Sequence, residues 1–239
     1  MRYGYSKRFR RQPESLPTGP GRYKCRRHRA IIDLPHEPGS ERSGGYDGDR
    51  ALEPKTMDTI FKDLTNYLLA LGTSDVEHSG KGFLAHLIGV YQDLKVWGCD
   101  EAVCRAGLFH SIYGTEMFQG FALPVEKRPE VVELIGERAE RLAYINSAMN
   151  RDSFDGLLAG SRGPRTIIDR MTGASIKMTQ REFDDLCLVH LCDWLEQAPR
   201  SQNWEYRPVA YQQIAERLGG VALDSYRKVY AKQAVGSPA

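Results

Sequence analysis

The sequence predicts an all-α protein: a helical bundle with one small β-hairpin, preceded by a basic segment that has no core of its own. Three observations predict it. From about residue 56 onward, apolar residues recur at three- and four-residue spacing, the period of helices with one buried face. Glycines, prolines and short polar residues punctuate these runs where helices start and stop. One stretch departs from the pattern: Ile167-Ile168 and Ile176-Lys177-Met178, joined through Thr172-Gly173, read as a short hairpin.

The elements follow in order. Residues 1–54 hold Pro13, Pro17, Pro20, Pro35, Pro38 and Pro54, with no sustained apolar periodicity. Such a segment cannot bury enough surface to offset its ordering entropy, so it is expected to be a disordered Pro/Gly-rich tail. A basic tail, a targeting peptide and an over-extended start are the competing accounts of it, and Met57 opens the first helical pattern. The helical domain is expected over 55–235. Ile60, Leu64, Tyr67, Leu68 and Leu71 mark its first helix, which Gly72 ends, and a polar loop follows over 73–82. The second helix spans about Phe83 to Trp97. Gly98 closes it, and Asp100 caps a third from Glu101 to about His110, whose Ala106 and Gly107 permit a close helix crossing. Residues 114–126 read as a loop, Arg128 to Met149 as one or two helices, and 150–165 as irregular. Thr179 caps a helix from Gln180 to Gln197 that Pro199 ends, and two more helices are expected at about 206–218 and 221–233.

Composition narrows the function. Hydrophobic residues at 41% and charged residues at 27% are ordinary for a soluble globular protein, and no apolar run approaches the roughly 20 residues of a membrane span. The net charge of +2 conceals an asymmetry. Ten of the 33 Lys and Arg lie within residues 1–30 against one acid, Glu14, which leaves 23 basic and 30 acidic residues in the rest. An acidic body has little attraction for nucleic acid, so that partner is not expected. The five cysteines, Cys25, Cys99, Cys104, Cys187 and Cys192, are odd in number and form no CxxC pair, as suits reduced thiols in a cytoplasmic protein.

His86 lies among apolar Leu84, Leu87 and Ile88 on the second helix, so its ring is expected to face inward or line a cleft. His110 stands at the end of the next helix, close enough to meet it. Asp193 sits mid-helix between Leu191 and Leu195, where a carboxylate is costly to bury unless it is paired or bound to metal. Two imidazoles and a carboxylate are suitable ligands for Mn, Fe or Zn.

Four stretches in order carry a family resemblance. Ser79-Gly80 followed by His86 repeats an SGxxxxxH spacing, and Phe109-His110-Ser111-Ile112-Tyr113 stands where the family has LHDVV. Residues 136–142 are similar to a GEEVAxLV stretch, and Cys192-Asp193-Trp194-Leu195 is similar to ADRLHNM. Together they resemble the guanosine-polyphosphate hydrolase domain of the Rel/Spo-type stringent-response enzymes, within the HD-domain superfamily. The resemblance implies a helical bundle with a metal between its helices, held by His86, His110 and Asp193.

The departures bear on chemistry. Ser111 replaces the aspartate that follows the second histidine, so a hydroxyl stands where the family has a charged ligand. The family's Glu-Asp pair falls on Gly114 and Thr115, which leaves Glu116 as the acid nearest that position, with His78 and His190 the other candidates for additional ligands. The expected function is an HD-like metal-dependent hydrolase of a small phosphorylated or nucleotide-like substrate, with Ser111 and Glu116 as its catalytic candidates. Arg138, Arg141, Arg162 and Arg165 are available to an anionic group. The alternative is a catalytically degenerate HD-like domain that binds a ligand or partner without turnover.

Overall fold

The structure is a computed structural model that describes residues 56–78, 80–160 and 164–233. The tail expected over 1–54 lies outside them. The described residues form nine α-helices and two small antiparallel ribbons, and no helix among them is long and apolar enough to cross a membrane.

Helix α1 (Met57–Ala70) starts where the Thr56 hydroxyl accepts a hydrogen bond from the Thr59 N–H, and it buries Leu64 and Leu68. The segment expected as a polar loop contains a ribbon instead, β1 (Glu77–His78) and β2 (Lys81–Gly82). Gly80, at φ +72°, supplies the left-handed backbone its tight turn needs. A two-residue strand carries too little alternation to register as a periodic pattern.

Helices α2 (Phe83–Val96) and α3 (Glu101–Phe109) pack side by side. Gly107 permits the approach: a Cβ there would lie 2.3 Å from Leu94 Cδ1 and 3.2 Å from Val90 Cγ1. Helices α4 (Arg128–Ile135) and α5 (Glu137–Ala148) are separated at Gly136, whose φ of +90° no continuous helix accommodates.

The stretch read as irregular contains a further helix, α6 (Arg151–Leu158), with Arg151, Phe154 and Leu157 buried at three-residue spacing. The Asn150 side chain accepts from the Ser153 N–H, and the Glu116 carboxylate accepts from the Arg151 N–H. The second cap comes from a distant loop, which explains why local sequence did not reveal the helix start. Strands β3 (Arg165–Ile168) and β4 (Ser175–Met178) form the expected hairpin, with Ile167 paired to Ile176.

The longest element is α7 (Gln180–Ser201), opened by a capping box between Thr179 and Glu182. It runs past Pro199 instead of ending before it. Only one helical hydrogen bond is lost there, and Arg200 pairs back to Glu196 one turn earlier. Helices α8 (Pro208–Leu218) and α9 (Gly220–Tyr230) are the last two among the described residues. Helix α7 contacts α2, α3, α5, α8 and α9, so it is the axis around which the bundle is built. Polar side chains on α7 are therefore drawn into the core, His190 fully and Asp193 with 6% exposed.

Candidate metal centre

Three helices bring one side chain each to a common point. His86 comes from the first turn of α2, His110 caps the C-terminus of α3, and Asp193 comes from the middle of α7. Nε2 of His86 lies 3.3 Å from Nε2 of His110 and 3.1 Å from Oδ1 of Asp193, and His110 Nε2 lies 3.2 Å from the same oxygen. Both histidines are fully buried, and Asp193 is 6% exposed. These three are the one group of histidine, cysteine and carboxylate ligands among the described residues with metal-binding proximity.

The opposite edge of each ring fixes what the near edge offers. His86 Nδ1 lies 2.5 Å from Oε2 of Glu196, and His110 Nδ1 lies 2.7 Å from the carbonyl of Gly107. Each Nδ1 donates its proton outward, so in the neutral tautomer each Nε2 presents a lone pair to Asp193. Three electron pairs converging at these distances repel one another unless positive charge sits between them. Either a proton or a metal ion satisfies them. A cation bonded at roughly 2.1 Å sets its ligand atoms about 3.4 Å apart in a tetrahedron and about 3.0 Å apart in an octahedron. The observed separations fall between these values, so the donor set fits a divalent ion.

The protonation energetics agree. Burial of His86 disfavours its charged form, but hydrogen bonds to Asp193 and Glu196 outweigh burial and raise its pKa. Burial likewise opposes ionisation of Asp193, and the charges and hydrogen bonds of His110 and His86 reverse it and hold the carboxyl well below its ordinary value. Glu196 is held down to about 2 against burial by His86, Arg200 and Lys81. Gly89 makes room for it: a Cβ on that residue would lie 2.9 Å from Glu196 Oε1. The backbone of His110 is also clamped, because its carbonyl accepts from the Asn146 amide at 2.9 Å and the Ser147 hydroxyl at 3.0 Å.

The other candidates separate clearly. Ser111 is buried and lines a cleft of about 230 Å³ that reaches Asp193. His78, placed by the β1–β2 ribbon, lines the same cleft with its ring 4.6 Å from His86 and 4.4 Å from Phe118. Burial and the neighbouring His86 lower its pKa to about 4, so it is neutral at pH 7. Glu116 is exposed, outside the cluster, with its carboxylate engaged at the start of α6. His190 is enclosed elsewhere: its Nδ1 faces Asn146 Oδ1 at 3.2 Å and its Nε2 accepts from Arg207 at 2.9 Å. Arg138 and Arg141 pair with Asp100, Asp185 and Glu182, and Arg165 bonds Gln180 and the Leu157 carbonyl. Arg162 lies outside the described residues.

Sequence reasoning missed Glu196, Gly89, Asn146 and Arg151. Glu196 had a signal, since it stands three residues after Asp193 on the same helix face. The others act through contacts between elements distant in sequence.

Residues 67–151 match a family model described as a domain of unknown function (DUF6817). The matched span contains His86 and His110 and ends before Asp193. No curated protein and no solved structure matches the chain.

Proposed function

We propose that this protein is an HD-like, metal-dependent hydrolase of a small phosphorylated or nucleotide-like substrate, with one Mn, Fe or Zn ion held by His86, His110 and Asp193. The observation that carries the reading is the convergence of three donor atoms within 3.1–3.3 Å while both histidines are anchored through Nδ1. Imidazoles oriented by a carboxylate and a backbone carbonyl are the recurring support of protein metal ligands. A divalent ion there would supply Lewis acidity and make water a better nucleophile near neutral pH.

The chain's own residues do the rest. Glu196 fixes the His86 ring and increases its basicity, while Lys81 and Arg200 keep Glu196 ionised. Gly107, Asn146 and Ser147 hold His110 from its ring and its carbonyl. Ser111 and His78 form the cleft wall beside Asp193, positioned to meet substrate. The free thiols of Cys104, Cys187 and Cys192 suit a cytoplasmic setting.

Metal analysis of the purified protein tests this reading. After chelation and reconstitution with Mn²⁺, Fe²⁺ or Zn²⁺, near-stoichiometric uptake is expected, with phosphate release from organic phosphates that Asp193→Asn abolishes. Uptake of no metal removes the reading. Metal uptake with no turnover on any phosphate ester leaves the degenerate binding domain. One observation favours that alternative: Ser111 brings a hydroxyl, not a second carboxylate, to the cleft.

A further inference from the structure

The half-buried Arg207 and Arg128 pair with carboxylates, Asp155 and Glu140, and the half-buried Arg170 bonds the carbonyls of Ser147 and Gly114. Arg151 is the one arginine buried among the described residues. It is 8% exposed, and no carboxylate meets its guanidinium among the described residues. Its Nη1 donates to the hydroxyl of Tyr206, a neutral acceptor. Its Nε has no hydrogen-bond partner, the sole buried side-chain nitrogen or oxygen among the described residues in that condition. Glu116 bonds the backbone N–H of Arg151, not the guanidinium. A buried charge without a counter-ion is costly, as is a buried donor left unbonded. Arg151 lines the same cleft as Asp193.

We propose that Arg151 is the substrate-recognition residue of this cleft, binding the oxyanion of a small phosphate monoester whose organic part lies along Trp194, Tyr206 and Met117. This rests on the metal reading above. The planar guanidinium matches phosphate oxygens at two points through its Nη1 and Nη2 edge. Charge selects the dianion: a divalent ion and Arg151 against Asp193 leave two positive charges in the cleft. Trp194 and Tyr206 offer apolar faces next to the fork, and Gln197 and Asn203 line the same wall. The cost of an unpaired guanidinium is thus incurred in the free protein and relieved by the ligand.

Titration of the full chain with orthophosphate and with acetate, metal content being measured on the same samples, tests the proposal. Orthophosphate is expected to bind more tightly than acetate. Arg151→Met should weaken orthophosphate by about tenfold or more with unchanged metal content. Arg151→Lys, which keeps charge but loses the fork, should fall between. Without phosphate, Arg151→Met should melt no lower than the wild type, because an apolar chain replaces an unsatisfied charge, whereas a structural role predicts a lower melting point. Unchanged orthophosphate affinity in Arg151→Met, or acetate binding as tight as orthophosphate, overturns the proposal. Should Arg151→Met fail to fold, Arg151→Lys and Tyr206→Phe decide it, and unchanged affinity in both overturns it. Protein that takes up no metal yet loses orthophosphate with Arg151→Met removes the metal reading and keeps this inference; metal uptake with Arg151-independent phosphate binding does the reverse.

Discussion

Two buried histidine networks lie against α7, one turn apart in sequence, and they are built on opposite principles. Around His190 every polar atom has found its complement: Asn146 accepts from Nδ1, Arg207 donates to Nε2, and Asp155 neutralises Arg207. Around Asp193 the two imidazoles and the carboxylate direct acceptors at one another, and stability requires a positive charge in their midst. The histidines are fully buried in both. What distinguishes a structural network from a binding one is the direction of the lone pairs. A closed network makes the core rigid, and a convergent one calls for a proton or a metal ion between its acceptors.

Removing a member from each network should have opposite signatures, and the largest effect is expected at the convergent one. Asp193→Asn replaces the anionic ligand by a neutral amide of the same shape, and metal affinity should fall by more than about 100-fold, beyond the 10- to 100-fold typical of supporting residues. Metal content measured by elemental analysis checks this. Retention of bound metal at wild-type level would show that the three residues are not its ligands.

His190→Ala should do the reverse. It leaves Asn146 and Arg207 without their partner and opens a cavity beside Phe154 and Tyr211, at a cost of roughly 2–4 kcal/mol in unfolding free energy. Metal stoichiometry in the folded fraction should stay as in the wild type. Chemical denaturation followed beside metal content separates the two networks. A stable variant that has lost its metal would merge them into one site.

Glu196→Gln probes the support of His86. The amide no longer accepts the Nδ1 proton as an anion, so metal affinity is expected to drop by about 10- to 100-fold. The same residue sets an acid limit. Its folded pKa, about 2, is below the ordinary 4.5, so its contribution is fully present above about 4.5 and is lost as pH falls from there towards 2. In metal-free protein the wild type should therefore lose its advantage over Glu196→Gln across that window, read from melting temperatures against pH. Parallel curves for the two proteins would contradict the assigned role.

The sequence made the convergent network legible and the closed one illegible for a physical reason. His86, His110 and Asp193 stand out because each is a polar residue placed on an apolar helical face, an anomaly that periodicity exposes. The caps at Asp100 and Thr179 were readable because a cap acts within four residues. Helix α6 was not, since Glu116, which satisfies its first N–H, comes from a loop 35 positions earlier. The extension of α7 beyond Pro199 depends on the Arg200–Glu196 pair, which competes with a strong local breaker. Arg151 carried no local mark, because its importance lies in the partner it lacks in space.

The smallest effect is expected at Ser111, where the comparison is sharpest. The side chain is 3% exposed and lines the cleft beside Asp193. If the convergent network holds a metal, Ser111→Asp adds an anionic oxygen to a neutral position and metal binding should tighten by about tenfold, the worth of one charge-assisted bond. If the network holds only a proton, the added carboxylate is enclosed without a counter-charge. Unfolding free energy should then fall by about 1–3 kcal/mol. Metal affinity and thermal melting of the same preparation separate these outcomes. Gain of metal with unchanged or higher melting temperature supports the catalytic reading; loss of stability with no gain of metal assigns the domain to ligand binding without turnover, with Ser111 a packing residue.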